Sequence, residues 1–409
     1  MMAAMSGLRV LDLTRIFAGP WAAQMLADFG ADVVKVEHPA GGDDVRHMGM
    51  PQKRPDGSET GQTSSFLAMN RNKRSIALDM GTPGGQHMLQ ALAAKADVLI
   101  ENFKTGGLRK FGLDYATLSA ANPRLVYCSI TGYGQDGPYA ALPGYDAVFQ
   151  ALSGLMSVTG QPDGTPGAGP VLVGYSVSDI NAGFYATIAI LMALRARDAV
   201  TGRGQHIDLA LLDAQIAAQS HIMMNYLVSG RMPVRAGTAS QVNVPWQAFP
   251  TADVPLVVAI GNDRQFAAFC TALDIPAVAA DPRFARNRDR LANKQALLPM
   301  LTDALAKRSA RAWVEALNAC GISSAPVNDF GAVLADPQVV HRGIVQEMAD
   351  PAAGTLRFVA NPIRLSETPA RYDRPPPHLG EHNAEVLQQW LELDQAGFDR
   401  LAAQAFRPG

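Results

Sequence analysis

The chain reads as an α/β protein whose parallel sheet is covered by helices on both faces, in a soluble globular molecule of two domains. Three observations predict this. Short apolar runs alternate with helical spacing through the first half, and strands separated by helices require parallel crossovers. The texture changes after Gly204, where alternation gives way to helical and then irregular sequence. At 409 residues, with 48% hydrophobic and 18% charged residues, the chain exceeds one ordinary domain and can bury a sizeable core.

The elements follow in order. LRVLDLT (Leu8 to Thr14) is a short apolar strand, AGPWAAQMLADFGA has helical spacing and ends at Gly30, and DVVKVE (Asp32 to Glu37) is a second strand. That is one βαβ unit. The pattern repeats as SIALDM, then TPGGQHMLQALAAKA behind a Thr-Pro cap, then ADVLIENF, a short helix and RLVYCSITGYG. QHIDLALLDAQIAAQSHIMMNYLVSG reads as one helical run ending at Gly230, followed by irregular RMPVRAGTASQVNVPWQAF, the passage to a second domain. PLVVAIGND and helical stretches to about Cys320 fill that smaller domain. From Asp329 the sequence grows Pro-rich and polar before a last helix, GEHNAEVLQQWLEL.

Composition excludes several partner classes. Lys plus Arg number 35 against 37 for Asp plus Glu, and the basic residues are scattered, so no footprint for nucleic acid or anionic lipid is expected. A small-molecule partner is expected instead. Cys128, Cys270 and Cys320 lie far apart without CxxC spacing, which suits a reducing, cytoplasmic compartment and no structural metal. MMAAMSGLRVLDLTR does not read as a signal peptide. The uncharged run Ala182 to Leu194 falls short of the roughly 20 residues that span a bilayer and is expected to be a buried helix.

The first βαβ unit resembles a dinucleotide site only in outline. Its turn reads IFAGPWAAQ, with Gly19 as the lone glycine and Pro20 removing an N–H, so the GxGxxG fingerprint is absent despite the acid Glu37 closing strand two. GxxxxGK[ST], GxSxG and HExxH are absent as well.

Asp179, in VGYSVSDINAGFYATIAIL, precedes the uncharged run. It fits a helix N-cap, in which Ser178 or Asp179 accepts first-turn amides. The same placement, with Gly174 and Gly183 permitting close approach, fits a carboxylate nucleophile. From the residues alone the cap is the favoured reading and the nucleophile the alternative.

LDLTRIFAGPWAAQMLADFGADVVKVEHPAGGDDVR, MNRNKRSIALD, ADVLIENFKTGGLRKFGL, VYCSITGYGQDGPYA, GYDAVFQALSG, VSDINAGFYATIAILMAL and TGRGQHIDLALLDA resemble, in order, the signature blocks of the family III (CaiB/BaiF-type) CoA-transferases. The resemblance runs from about Gly7 to LGEHNAEVL. It implies that Asp179 is the nucleophile, that acyl-CoA is a substrate with no permanently bound cofactor, and that neither ATP nor metal is needed. Gly261 and Asn262, in AIGND, match the family's small-domain glycine loop and are implied in catalysis; a strand end with a helix cap is the alternative. The resemblance carries CoA contacts to Phe17, Ala18, His38, Leu78, Asp79, Met80, Gly81, Asn102, Phe103, Lys104, Lys110, Tyr145 and Asp146. Phe17 stands where formyl-CoA transferases have Gln, and His38 where many members have Arg, which weakens a phosphate grip that Lys104 and Lys110 would restore. Either lysine also fits a solvated surface.

The segments GTASQVNVPWQAF and VVAIGNDRQFAAFC resemble the succinyl-CoA:glutarate branch more than the formyl-CoA:oxalate branch, so a succinyl donor and dicarboxylate acceptor are expected. A distal carboxylate calls for a fixed cation, for which Arg46, Arg71 and Lys73 are candidates, each of which also fits the surface. Other readings are a formyl-CoA:oxalate or carnitine-type CoA-transferase, an α-methylacyl-CoA racemase, and a non-enzymatic CoA-binding protein. GYDAV in place of the racemases' GHD puts a phenol, Tyr145, where those enzymes have an imidazole, and a phenol is a poor substitute for that base. The family's architecture further implies a Rossmann-like large domain with a parallel sheet built from both chain ends (1–205 and, after a linker, 327–409), helix and linker at 206–246, a smaller α/β domain at 247–326, and an interlocked-ring homodimer.

Overall fold

A computed structural model of the chain describes residues 3–394 together with 396 and 397. They divide into two compact units. One holds the described residues up to Leu155, Leu172–Arg231, and those from Arg342 onward; the other holds Met156–Val171 and Met232–His341. The segment 156–171 thus belongs to the second unit, and residues 206–231 to the first.

The first unit is built on six strands: β1 Arg9–Asp12, β2 Asp32–Glu37, β3 Arg74–Ala77, β4 Val98–Glu101, β5 Val126–Thr131 and β6 His206–Ala210. Their spatial order is β3-β2-β1-β4-β5-β6, every neighbouring pair parallel. This is the doubly wound Rossmann order, with its topological switch point between β1 and β4. Alternation along β1 sends Val10 to one face and Leu11 to the other. On Val10's side lie α1 (Ala18–Asp28) and, later in the chain, α4 (Val177–Ala196) and α5 (Leu211–Ala218). On Leu11's side lie α2 (Pro83–Lys95) and the C-terminal helix Asn383–Leu391, whose Trp390 is fully buried.

Two expectations about this unit need correction. All six strands lie between residues 9 and 210, so among the described residues the C-terminal part adds no strand to the sheet; it contributes the covering helix and a separate hairpin, Val345–Asp350 with Gly354–Val359. The single helical run after Gly204 is in fact β6, paired with β5, then the helices Leu211–Ala218 and Ser220–Ser229. A short apolar run such as HIDLALL satisfies strand and helix patterns alike, and the open edge of the sheet decided it.

The apolar helix α4 is not wholly buried either. Ala182, Gly183, Ala186, Ile190 and Ala193 face the core, whereas Phe184, Tyr185, Ile188, Leu191 and Met192 are exposed. With the turn that continues to Thr201 it is long and apolar enough, by length and composition, to cross a bilayer, at a mean hydropathy of 1.5, contrary to the estimate from the uncharged run. One face nevertheless packs on α1 and α5.

The second unit has a three-stranded antiparallel sheet, Trp246–Phe249, Leu256–Ala259 and Ser323–Pro326, covered by helices around Phe266, Phe269, Leu301 and Trp313.

Candidate active site

Asp179 sits in the first turn of α4, whose N-cap is Ser176. Its carboxylate caps nothing: among the described residues none donates to it. The capping is done from another helix, α3 (Asp146–Leu152). Asp146 Oδ1 accepts the backbone N–H of Ser178 at 2.7 Å and of Asp179 at 3.4 Å. Its Oδ2 is held by Gln150 Nε2 at 2.6 Å, and Gln150 Oε1 in turn accepts the N–H of Val173 at 2.9 Å. This frees Asp179 from the cap reading that the residues alone left open.

The result is a half-buried carboxylate without a cation. Burial, and secondarily the negative charge of Asp146, push Asp179 up to about 7. A group in this state is about half ionised at neutral pH and poorly solvated, so its ionised form is a reactive carboxylate nucleophile. Gly183, one turn on, lets α4 seat tightly: a Cβ there would stand 2.9 Å from the carbonyl oxygen of Ala18 and 3.0 Å from Trp21. The start of α1, with Phe17 as N-cap and Ala18 buried, therefore lies against the helix that carries Asp179.

A cleft of about 490 Å³ opens at the carboxyl ends of the strands around the switch point. His38, Leu78, Asp79, Met80, Gly81, Phe103, Lys104 and Lys110 line it, together with Arg15, Val36, Gly42 and Phe111, which the sequence did not single out. The switch-point rule finds these, because they lie at or after the carboxyl ends of β1, β2, β3 and β4. His38 Nε2 stands 3.7 Å from Asp79 Oδ1, and Asp79 Oδ1 accepts the N–H of Gly81 at 2.7 Å. Lys110 Nζ lies 4.6 Å from the centre of the Phe111 ring, and the exposed Lys104 adds a second ammonium. Such a cleft offers apolar walls and scattered cations, which suits an anionic ligand with an aromatic or aliphatic body.

Other expected contacts lie elsewhere. Phe17, Ala18, Asn102, Tyr145 and Asp146 do not line the cleft. Asn102 instead clamps the turn after β1, accepting the N–H of Arg15 at 2.9 Å and donating to its carbonyl at 2.7 Å. Tyr145 is 75% exposed. Asp146 is the cap described above.

The three cations expected to bind substrate are committed inside the first unit. Arg46 makes a two-pronged pair with Glu37, both distances 2.7 Å, and Arg71 does the same with Asp28 at 2.9 and 2.6 Å. Lys73, fully buried, reaches Asp12 Oδ2 at 2.9 Å. A buried cation already paired and hydrogen-bonded has no free valence for a ligand carboxylate, so these residues build the scaffold. The same pairing explains why Glu37 cannot serve a ribose: besides Arg46 it takes Ser75 Oγ at 2.7 Å and the N–H of Asp43 at 3.0 Å.

In the second unit Asn262 caps the helix Asp263–Ala272, accepting the N–H of Gln265 at 2.9 Å. The N–H of Gly261 is taken by Gln265 Oε1 at 2.9 Å. Gly261 can donate to an oxyanion only after Gln265 swings away. No cluster of metal-ligating side chains occurs among the described residues.

The fold and this site define a family. The model of CoA-transferase family III matches residues 5–383, and the chain belongs to that family. A succinate–glutarate CoA-transferase of Agrobacterium fabrum is 46% identical over 96% of both chains. The human succinyl-CoA:glutarate CoA-transferase is 39% identical over 97% of this chain and 88% of its own. Among solved structures, a CaiB/BaiF family protein from Brucella suis superposes with a TM-score of 0.86 at 41% identity, covering 95% of this chain and all of that one.

Proposed function

We propose that this CoA-transferase moves CoA from succinyl-CoA to a dicarboxylate acceptor through covalent intermediates on Asp179. The observation that carries the reading is the half-buried, cation-free Asp179 carboxylate poised near neutrality, in a chain whose similar relatives bear succinate–glutarate names. The carboxylate attacks the donor thioester, giving a mixed anhydride and CoA thiolate. The thiolate attacks the aspartyl carbonyl, releasing the donor acid and leaving an aspartyl-CoA thioester. The acceptor carboxylate attacks that thioester, re-forming an anhydride and freeing the thiolate, which then attacks the acceptor carbonyl and releases the new acyl-CoA with Asp179 restored. Each step exchanges bonds of comparable energy, and water must be kept out because it would hydrolyse the anhydrides. Acyl-CoA is a substrate in this scheme, so no resident cofactor enters it. Lys104, Lys110 and His38 are the cations we assign to the CoA phosphates.

We also infer a homodimer of cytoplasmic location. The exposed apolar face of α4, Phe184 to Met192, and the exposed Met224, Leu227 and Val228 of the helix Ser220–Ser229 support a second copy. Sedimentation at micromolar concentration is expected to give a dimer; a monomer refutes it.

The decisive test is an exchange assay with succinyl-, acetyl-, formyl- and oxalyl-CoA against mono- and dicarboxylates, joined to hydroxylamine trapping after acyl-CoA treatment. We expect succinyl-CoA with a C4 to C6 dicarboxylate to be best and a hydroxamate on the Asp179 peptide. Equal rates for monocarboxylates and dicarboxylates of matched length sink the acceptor assignment alone. Free CoA released without an acceptor points to a thioesterase.

A further inference from the structure

The turn leading from β1 into α1 holds a residue in the wrong conformation for its type. Ile16 has φ +70°, the left-handed region, where a β-branched side chain is strained and glycine is not. Such strain persists only where the surroundings over-determine the backbone. Here side chains hold successive peptide groups. Asp12 Oδ1 accepts both the N–H and the hydroxyl of Thr14. Lys35 Nζ donates to the Thr14 carbonyl at 2.8 Å, and Asn102 clamps Arg15 from both sides. Asp43 Oδ1 accepts the N–H of Ile16 itself at 3.0 Å.

Asp43 and Lys35 are fully buried, and Asp43 Oδ2 faces Lys35 Nζ at 2.8 Å as an ion contact rather than a well-directed hydrogen bond. A buried ion pair is a poor source of net stability; what this one does locally is hold the carboxylate that accepts the Ile16 N–H. The turn it fixes matters: it follows β1 at the switch point, carries Arg15 on the cleft wall, and leads to Ala18, whose carbonyl receives α4 at Gly183.

We propose that Asp43 is a positioning residue for the transfer reaction, its Lys35-paired carboxylate holding Ile16 in the left-handed conformation and so keeping the cleft wall in register with the helix that carries Asp179. The proposal rests on the CoA-transfer reading above. Asp43 also accepts the N–H of Val45 at 3.2 Å, so a simple loss of activity on its removal would not separate positioning from folding.

Rescue separates them. Glycine adopts φ +70° at no cost, so Ile16→Gly should make the turn independent of Asp43. Asp43→Ala is expected to lower kcat/KM for acyl-CoA on the order of 10²-fold, the scale of a misplaced reacting group. Ile16→Gly alone should stay within about threefold of wild type, and Ile16→Gly/Asp43→Ala should recover about tenfold or more over Asp43→Ala, because the strain that Asp43 opposes is gone. If Asp43→Ala does not yield folded protein, Lys35→Met/Asp43→Ala removes both charges together, and the same comparison is made with and without Ile16→Gly. No loss in Asp43→Ala, or a loss that Ile16→Gly leaves untouched, overturns the proposal. Wild-type protein that exchanges nothing and forms no hydroxamate at Asp179 overturns the functional reading and this proposal with it, whereas an active wild type without rescue overturns this proposal alone.

Discussion

Asp179 and the Asp12–Asp43 cluster are carboxylates withdrawn from water within the same unit, and they differ in what faces them. Asp179 meets only the negative charge of Asp146, and burial lifts it to about 7. Burial works on Asp12 in the same direction, yet the ammonium groups of Lys73 and Lys35 outweigh it and hold Asp12 below the usual carboxylate range. Burial without a cation leaves a carboxylate reactive; burial with one turns it into scaffold. The scaffold carboxylates are fixed to two or more partners each, whereas Asp179 keeps its oxygens free to attack.

The sharpest way to break this contrast is to remove each carboxylate's distinguishing feature. Asp179→Asn keeps the shape and loses the nucleophile, so exchange should fall on the order of 10³-fold or more. Its thermal midpoint at acid pH should match wild type, since Asp146 does the capping. Retention of more than a few per cent of activity refutes covalent catalysis. The sign of the pH effect on stability follows too. A native carboxyl raised to about 7 from 3.8 favours the folded state fully below its unfolded value, and that stability is lost as pH rises through 7. Asp179→Asn should lack this decline, so urea titrations at pH 5 and pH 8 should diverge for wild type and less for the variant.

Lys73→Met tests the other side. It strips Asp12 of one cation and leaves the Pro20 carbonyl and Asn70 Oδ1, which Lys73 now reaches at 3.0 and 2.9 Å, without their donor. A loss of about 3–5 kcal/mol in denaturant unfolding is expected, the penalty of an unpaired buried charge. By contrast, Arg311→Ala, which ends an exposed i,i+4 pair with Glu315, should cost no more than about 0.5 kcal/mol. Equal costs would refute the claim that the buried pairs are scaffold.

The smallest expected effect is on the pH profile. Activity should rise with pH along a limb centred near 7, because only ionised Asp179 attacks. Asp146→Asn keeps an oxygen for the Ser178 amide while removing the repelling charge. It should move that limb to lower pH by less than about 1 unit, as the lesser of the two causes. A limb that stays in place would assign the shift to burial alone.

Much of this was legible in the chain. Alternating apolar runs marked the first five strands, and the lone Gly19 without GxGxxG argued against a dinucleotide site. Gly19 is needed for packing, since a Cβ there would stand 2.3 Å from the Thr14 side chain. The sequence also showed an acid at 179 beside a long apolar helix. It misjudged Arg46, Arg71 and Lys73, because a cation in a loop or at a strand start looks the same whether it faces solvent or a carboxylate far off in sequence. Glu37, Asp28 and Asp12 lie 9, 43 and 61 residues from those partners.

The sequence by itself determined the layered α/β class and the order of the elements, because periodicity and local composition are properties of neighbouring residues, while Asp179 stood out as a candidate nucleophile only through the ordered blocks that resemble a known family. Only the tertiary structure decided that the edge strand comes from His206–Ala210, that Asp146 rather than Asp179 caps α4, and that Lys35, Lys73 and the arginines are spent on internal carboxylates. Those outcomes depend on which distant groups share a dry interior, and in such an interior one paired or unpaired charge decides whether a carboxylate is structure or chemistry.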